Sequence, residues 1–270
     1  MMTKHNTYLL PLAACALGCA AVATSCKSHY QLDTAKGVTR TRILVDSRWD
    51  AKPDAAAAAW LTPYKSKVDS IMSPVVGRVA HDMAAKRPES DLSNLLADIM
   101  VWAAKDYGET VDFGVYNMGG IRAALSKGDV TWGDVLAIAP FENKICFLTL
   151  SGKDVLELFH NMACTGGEAV SKEVRLEIET HGNLQGKVVS ATVGGKPVDP
   201  KASYRIATID YLAQGNDHMT AFKAKTNYNA PSAESNNSRY IIMNYFKSHL
   251  AEGKTIDASV EGRIKRVSDK

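Results

Sequence analysis

The chain predicts an α+β domain, a mixed β-sheet packed with helices, and three observations carry that prediction. Apolar residues recur at helical spacing in separate segments, for example Leu92, Leu95, Leu96, Ile99, Met100 and Ala103. Strand-like runs at 111–116, 145–150 and 204–209 lie between such segments. The two kinds of element do not alternate as regular β–α–β units, so a purely parallel sheet is not expected. With 46% hydrophobic and 23% charged residues in 270, there is material for one sizeable core, or one core with a small appendage.

The elements follow in chain order. Ile43 and Val45 suit a short edge strand. Residues 50–72 read as a helix: the alanines at 55–59 have high propensity, and Trp60, Leu61, Tyr64, Val68 and Met72 form a broad apolar face that puts Trp60 in the core. A strand at 75–80 and a loop through Arg87 and Pro88 lead to a helix beginning at Asp91, with Trp102 inward and Gly108 as its stop. After the strand at 111–116 come a Gly-Gly loop, a turn at 128–131 and a short helix at 132–138 opened by Trp132. Pro140 breaks the pattern before the strand at 145–150, and Ser151 caps a helix over 154–162. Strands at 174–178 and 188–193, a hairpin at Gly194-Gly195 and a strand at 204–209 follow, then a helix at 238–250 and a final strand at 260–267.

A formal charge of +3, without any lysine- or arginine-rich run, gives no support to a nucleic-acid partner. Chemistry gathers instead in three loops. Asn117-Met118-Gly119-Gly120-Ile121-Arg122 follows a strand; paired glycines let backbone turn sharply near a ligand, and Arg122 offers a planar fork to an oxyanion. Phe141 and Asn143 lie in the proline-broken segment, and Tyr211 and Asp217 in the stretch directly after the strand at 204–209. Two rings can sandwich a base, an amide can read its edge, a carboxylate can accept from ribose hydroxyls and a guanidinium can pair with phosphate. Each residue also has a plainer use. The rings suit a core, Arg122 a surface ion pair, Asn143 a turn, and Asp217 the cap of the turn at 219–223.

In this motif order, from about Val45 to the C-terminus, the sequence resembles the C-terminal domain of the bacterial 5′-nucleotidase / UDP-sugar hydrolase family. The strand–Gly-Gly-Ile-Arg loop at 117–122, Gly-Asp-Val-Thr…Pro-Phe-x-Asn at 128–143, the Ser-Gly-Lys turn and helix at 148–156, and Asp-Tyr-x-Ala-x-Gly-x-Asp at 210–217 carry the resemblance. It implies a single nucleotide-binding domain over 43–270. Phe141 and Tyr211 would clamp the base, Asn143 would hydrogen-bond it and Asp217 would bind ribose. Arg122, with Arg87 as a further arginine, would hold phosphate or carboxylate. Gly119 and Gly120 shape the loop, and Gly166 or Gly167 would let the base approach the backbone. Asn216 and His218 stand where the family usually has glycine, and Lys172 where a glycine often follows Val-Ser.

Full-length enzymes of that family carry a metallophosphoesterase domain whose Asp, His and Asn ligands hold two metal ions. The seven histidines here are scattered, with no Asp-x-His, Asn-His-Asp or His-x-His pair, so no catalytic residue, metal site or cofactor is expected in this chain. The expected role is therefore the substrate-binding half of a 5′-nucleotidase-type hydrolase, with nucleotide or nucleoside as ligand and a separate metallophosphoesterase chain as partner. The alternatives are a stand-alone nucleoside or nucleotide-sugar binding lipoprotein, or a structural envelope lipoprotein without a ligand.

Lys4 and His5 precede an apolar run over 8–23, too short for a spanning helix, and small residues then lead to Cys26. Ala23-Thr24-Ser25-Cys26 resembles a bacterial lipoprotein box, with Ala16-Leu17-Gly18-Cys19 competing and ordinary secretory cleavage as the other alternative. Cys26 is preferred because polar sequence begins right after it. The expected organisation is a signal peptide with its lipid-acceptor cysteine over 1–26 and a tether over 27–42. The product is then an exported periplasmic protein, anchored by lipid to a bacterial membrane. Cys146 and Cys164 remain as thiols, whose pairing the sequence leaves open.

Overall fold

Ser90 starts the first core helix, and its capping box shows why the chain turns helical there. In the computed structural model, which describes residues 54–233 and 235–267, the Ser90 hydroxyl accepts from the Ser93 amide while Ser93 Oγ accepts from the Ser90 amide. The export signal with Cys26, the tether and the strand at 43–45 lie outside the described residues.

Helix α1 spans Ala55–Met72 and strand β1 Val75–Val79. Helix α2 spans Asp91–Ala104, and its stripe of Leu92, Leu95, Leu96, Ile99, Met100 and Ala103 is buried as the spacing predicted. Each such side chain contributes roughly 1.5–3 kcal/mol by leaving water. Strands β2 (Phe113–Tyr116) and β3 (Gly128–Thr131), helix α3 (Trp132–Ile138), strand β4 (Ile145–Ser151) and helix α4 (Gly152–Thr165) follow. Then come β5 (Ala169–Val170), β6 (Val174–Gly182), β7 (Gln185–Val193), β8 (Lys196–Pro197) and β9 (Ser203–Ile209). The short α5 (Asp210–Ala213), β10 (Thr226–Asn229), α6 (Ser238–Ala251) and β11 (Ile264–Arg266) complete the order.

The central sheet has five strands in the order β10-β4-β9-β2-β5. It is mixed, as expected: β2 runs parallel to β9, whereas β4 pairs antiparallel with β9 from Ile145 opposite Ile209 to Ser151 opposite Ser203. Helix α2 packs on β2 and β5, and α4 packs against β4, β9 and the second sheet, β11-β6-β7-β8. Gly114 is required where α2 crosses β2, since a Cβ there would sit 2.7 Å from the Ala97 carbonyl oxygen. Arg263, 2% exposed, ties the C-terminal strand inward with a two-pronged bond to Asp98 and donors on the Val170 and Asn94 carbonyls.

Several expectations need correction. Residues 128–131 form a strand, antiparallel to β1, rather than a turn; the edge of β1 recruits them. The final strand covers only Ile264–Arg266 of the expected 260–267, because pairing with β6 is confined to those residues. Strand β10 went unrecognised, its sequence Thr-Asn-Tyr-Asn being fully exposed and without alternation. Trp60 is not a core residue. Helix α1 forms, but none of its residues is buried, and Trp60 is 69% exposed. Cys146 is buried in β4 and Cys164 half-buried on α4, both as free thiols.

Candidate functional site

Strand register brings the three loops together. Ile145 at the start of β4 lies opposite Ile209 at the end of β9, so the segment preceding one and the segment following the other leave the sheet at one edge. Asp210 Oδ1 accepts from the Lys144 amide at 3.1 Å, and its own amide donates to the Lys144 carbonyl at 2.9 Å, bolting the two segments together. Parallel pairing of β2 with β9 carries Asn117 and the Gly-Gly turn out at the same edge. Arg239 holds the proline-broken segment from the side through the Pro140 carbonyl at 2.6 Å, and the Ser238 amide donates to the Asn143 carbonyl at 2.8 Å.

Between these loops is a cavity of about 180 Å³ lined by Asn117, Gly119, Phe141, Asn143, Tyr211 and Asp217. Phe141 and Tyr211 are the exposed aromatics at this edge, 49% and 38% accessible, where a core role would have buried them. Asp217 is oriented from two sides: Tyr211 Oη donates to Oδ1 and Asn117 Nδ2 to Oδ2, both at 2.9 Å. That bond holds the Tyr211 phenol above its usual range. Asp217 therefore does not cap the following turn, which has no side-chain cap. Its backbone is left-handed at φ 52°, as is His218 at φ 65°, in a stretch where the resemblance expects glycine nearby.

A second cleft of about 450 Å³ adjoins the first and shares Gly119 and Asp217 with it. Arg87, Thr165, Gly215, Asn216, His218 and Thr220 complete its lining. Arg87 is thus brought to the site. Arg122 is exposed, donates to the Gly119 carbonyl at 3.2 Å, and lines neither cavity. Gly120 and Gly167 are also behind the lining rather than in it. A Cβ on Gly120 would meet Asn117 Oδ1 at 2.2 Å, and one on Gly167 would meet the Pro88 carbonyl oxygen at 2.5 Å, so both glycines serve close packing of protein on protein.

Two residues that sequence reasoning did not single out hold others that line these cavities. Asn117, 4% exposed, steers Asp217; its place directly before Gly-Gly was the available signal. Glu168, 1% exposed, accepts the Met118 amide at 2.7 Å and pairs with Arg87. Burial pushes its carboxyl up to about 7 even though Arg87 and the Met118 amide pull the other way. Among the described residues, no group of three or more His, Cys, Asp or Glu side chains could hold a metal ion, so the two-metal centre of full-length enzymes does not fit the residues described.

Sequence comparison places residues 75–224 in the family described as 5′-nucleotidase, C-terminal domain. The cell wall protein Lmo0130 of Listeria monocytogenes is 27% identical over 235 residues, 78% of this chain and 29% of that protein. The silent protein UshA(0) of Salmonella typhimurium is 26% identical over 199 residues, 74% of this chain and 35% of that protein. Among solved structures, the 5′-nucleotidase precursor of Thermus thermophilus superposes with a TM-score of 0.69 at 27% identity, over 82% of this chain and 45% of the other. The chain thus spans less than half the length of these relatives. With the family model covering more than half of its 270 residues, and the fold shared, the chain belongs to the 5′-nucleotidase C-terminal domain family.

Proposed function

We propose that this chain seats the nucleoside part of a nucleotide for a 5′-nucleotidase-type hydrolase, in nucleotide catabolism. The observation that carries this reading is the small cavity with an aromatic residue from each of two loops, an amide and a pre-oriented carboxylate. Phe141 and Tyr211 stack the base, Asn143 hydrogen-bonds its edge, and Asp217 accepts from the ribose hydroxyls. Arg87, in the adjoining cleft, faces the phosphate side, with Arg122 as a more peripheral cation.

Within this proposal hydrolysis falls to a separate metallophosphoesterase chain that supplies metal-activated water. This chain's own work is to bind, orient and present. By its N-terminal sequence it is exported and lipid-anchored through Cys26 at a periplasmic membrane face, and its likeness to a cell wall protein supports export.

The test is thermal shift with adenosine, AMP, uridine and UDP-glucose on wild type and Phe141→Ala. One ligand class should raise the wild-type Tm by mass action and lose most of that effect in the variant. No response from wild type at millimolar ligand would leave only the structural-lipoprotein reading. Binding without phosphatase activity on addition of a metallophosphoesterase would favour the stand-alone binder.

A further inference from the structure

Glu168 is a buried carboxylate, bonded to Arg87 and to the Met118 amide, that the proposed binding scheme does not use. Its two oxygens serve different walls. Oε2 accepts from the amide of Met118, the first residue of the Met118–Gly120 turn, at 2.7 Å, and Oε1 takes Nη2 of Arg87. Arg87 Nη1 reaches Thr165 Oγ1 at 3.5 Å, and the Arg87 side chain stays 31% exposed on the cleft. A guanidinium has five donors, and these two contacts leave others for a ligand. Asp217, the acid on the same cleft, already has one donor on each oxygen.

We propose that Glu168 is a positioning residue that clamps Arg87 and the Met118–Gly120 turn into one wall, setting a preference for 5′-phosphorylated over unphosphorylated nucleosides. This rests on the nucleotide-binding reading above and adds a determinant that the sequence motifs do not contain. A buried ion pair is a poor way to gain stability, because desolvation offsets most of the attraction; its use is to fix geometry. Geometry here is fixed twice over. Gly167, at φ +113°, packs against Pro88, so the backbone carrying Glu168 is wedged against the loop carrying Arg87. Without the carboxylate, the guanidinium loses its anchor and the turn amide loses its acceptor.

The test is titration at pH 8, where Glu168 is ionised, of wild type, Glu168→Gln, Arg87→Ala and the double variant with AMP and with adenosine. Wild type should prefer AMP by about tenfold, the worth of one charge-assisted contact. E168Q should lose most of that preference while holding adenosine affinity within about twofold, and should change nothing further in the Arg87→Ala background. A merely structural role predicts the opposite: equal losses for both ligands, or penalties that add in the double variant, either of which overturns the clamp. Should E168Q fail to fold, E168D keeps the charge but is too short to span both walls. It must then show the same AMP-selective loss, and an unchanged preference overturns the proposal. Wild type that binds neither ligand defeats the nucleotide reading itself, whereas wild-type binding with an unaltered ratio in E168Q defeats only the clamp.

Discussion

Tyr211 donates its phenol to Asp217 Oδ1 at 2.9 Å, so one wall of the cavity is welded to the carboxylate six residues on. The ring has two separable uses, a flat face and a hydroxyl. Tyr211→Phe keeps the face and frees the acid, and the expected loss is about 1 kcal/mol of adenosine affinity. The loss should shrink for 2′,3′-dideoxyadenosine, which offers Asp217 nothing to hold. Phe141→Ala removes a face outright and should cost roughly 1–3 kcal/mol for either ligand. Calorimetric titration of both variants with both ligands checks the division. Equal penalties for Tyr211→Phe with the two ligands would remove Asp217 from ribose recognition.

Gly119 and Gly120 are adjacent yet predict different failures. A Cβ on Gly119 would stand in the cavity 3.3 Å from Asp217 Oδ2, whereas one on Gly120 would strike Asn117 Oδ1 at 2.2 Å behind it. Gly119→Ala should therefore leave stability within about 0.5 kcal/mol and weaken ligand binding. Gly120→Ala should destabilise the fold by about 1–3 kcal/mol through overpacking of a buried amide. Urea unfolding together with ligand titration separates the two, and a Gly120→Ala variant of wild-type stability refutes the packing role.

The residues of the candidate site were legible where chemistry sits in breaks between regular elements. Phe141, Asn143, Tyr211 and Asp217 stand out because they fall in the proline-broken segment and in the stretch after the strand at 204–209 rather than on an apolar stripe. What joins them was not legible. The pairing of Ile145 with Ile209 is a long-range register, set by the core faces of both strands, and no short motif encodes it. Glu168 gave no signal, since a lone acid after two glycines reads as solvated surface until Arg87 is seen beside it. The demand for glycine at 167 has a structural reason that the sequence did not show: a Cβ there would meet the Pro88 carbonyl oxygen. In the same way Arg122 kept its place in the motif while its side chain stayed on the surface, against the Gly119 carbonyl.

The tryptophans test the helix reading in the same spirit. Periodicity in α1 was real and the helix forms, but a stripe cannot say what it packs on, and among the described aromatic rings Trp60 meets only Tyr64, at 5.6 Å. Trp102, half-buried on α2, instead meets the Tyr245 ring edge-on at 5.2 Å, with Lys105 Nζ 4.8 Å from its centroid. Trp60→Ala should change unfolding free energy by less than about 0.5 kcal/mol, and Trp102→Ala should cost about 2–4 kcal/mol. Denaturant midpoints with unchanged slopes provide the comparison. Equal costs would mean that α1 is buried in solution.

Glu168 makes stability depend on pH in a direction opposite to most paired carboxylates. Its folded value is raised to about 7 from an ordinary 4.5, with burial as the leading cause, so between those values the folded state holds a proton that the unfolded state has released. Unfolding free energy then falls as pH rises whenever the native form binds more protons. Stability from this group is complete below pH 4.5, declines through 5 and 6, and is gone above 7. The whole effect is bounded by about 3 kcal/mol at 1.36 kcal/mol per unit. Glu168→Gln removes the titration, so subtracting its pH profile from that of wild type should leave a downward slope between pH 5 and 7 that flattens above. Chemical denaturation at half-unit steps measures it. A flat difference profile in that window would mean that Arg87 and the Met118 amide dominate and keep the carboxylate ionised throughout.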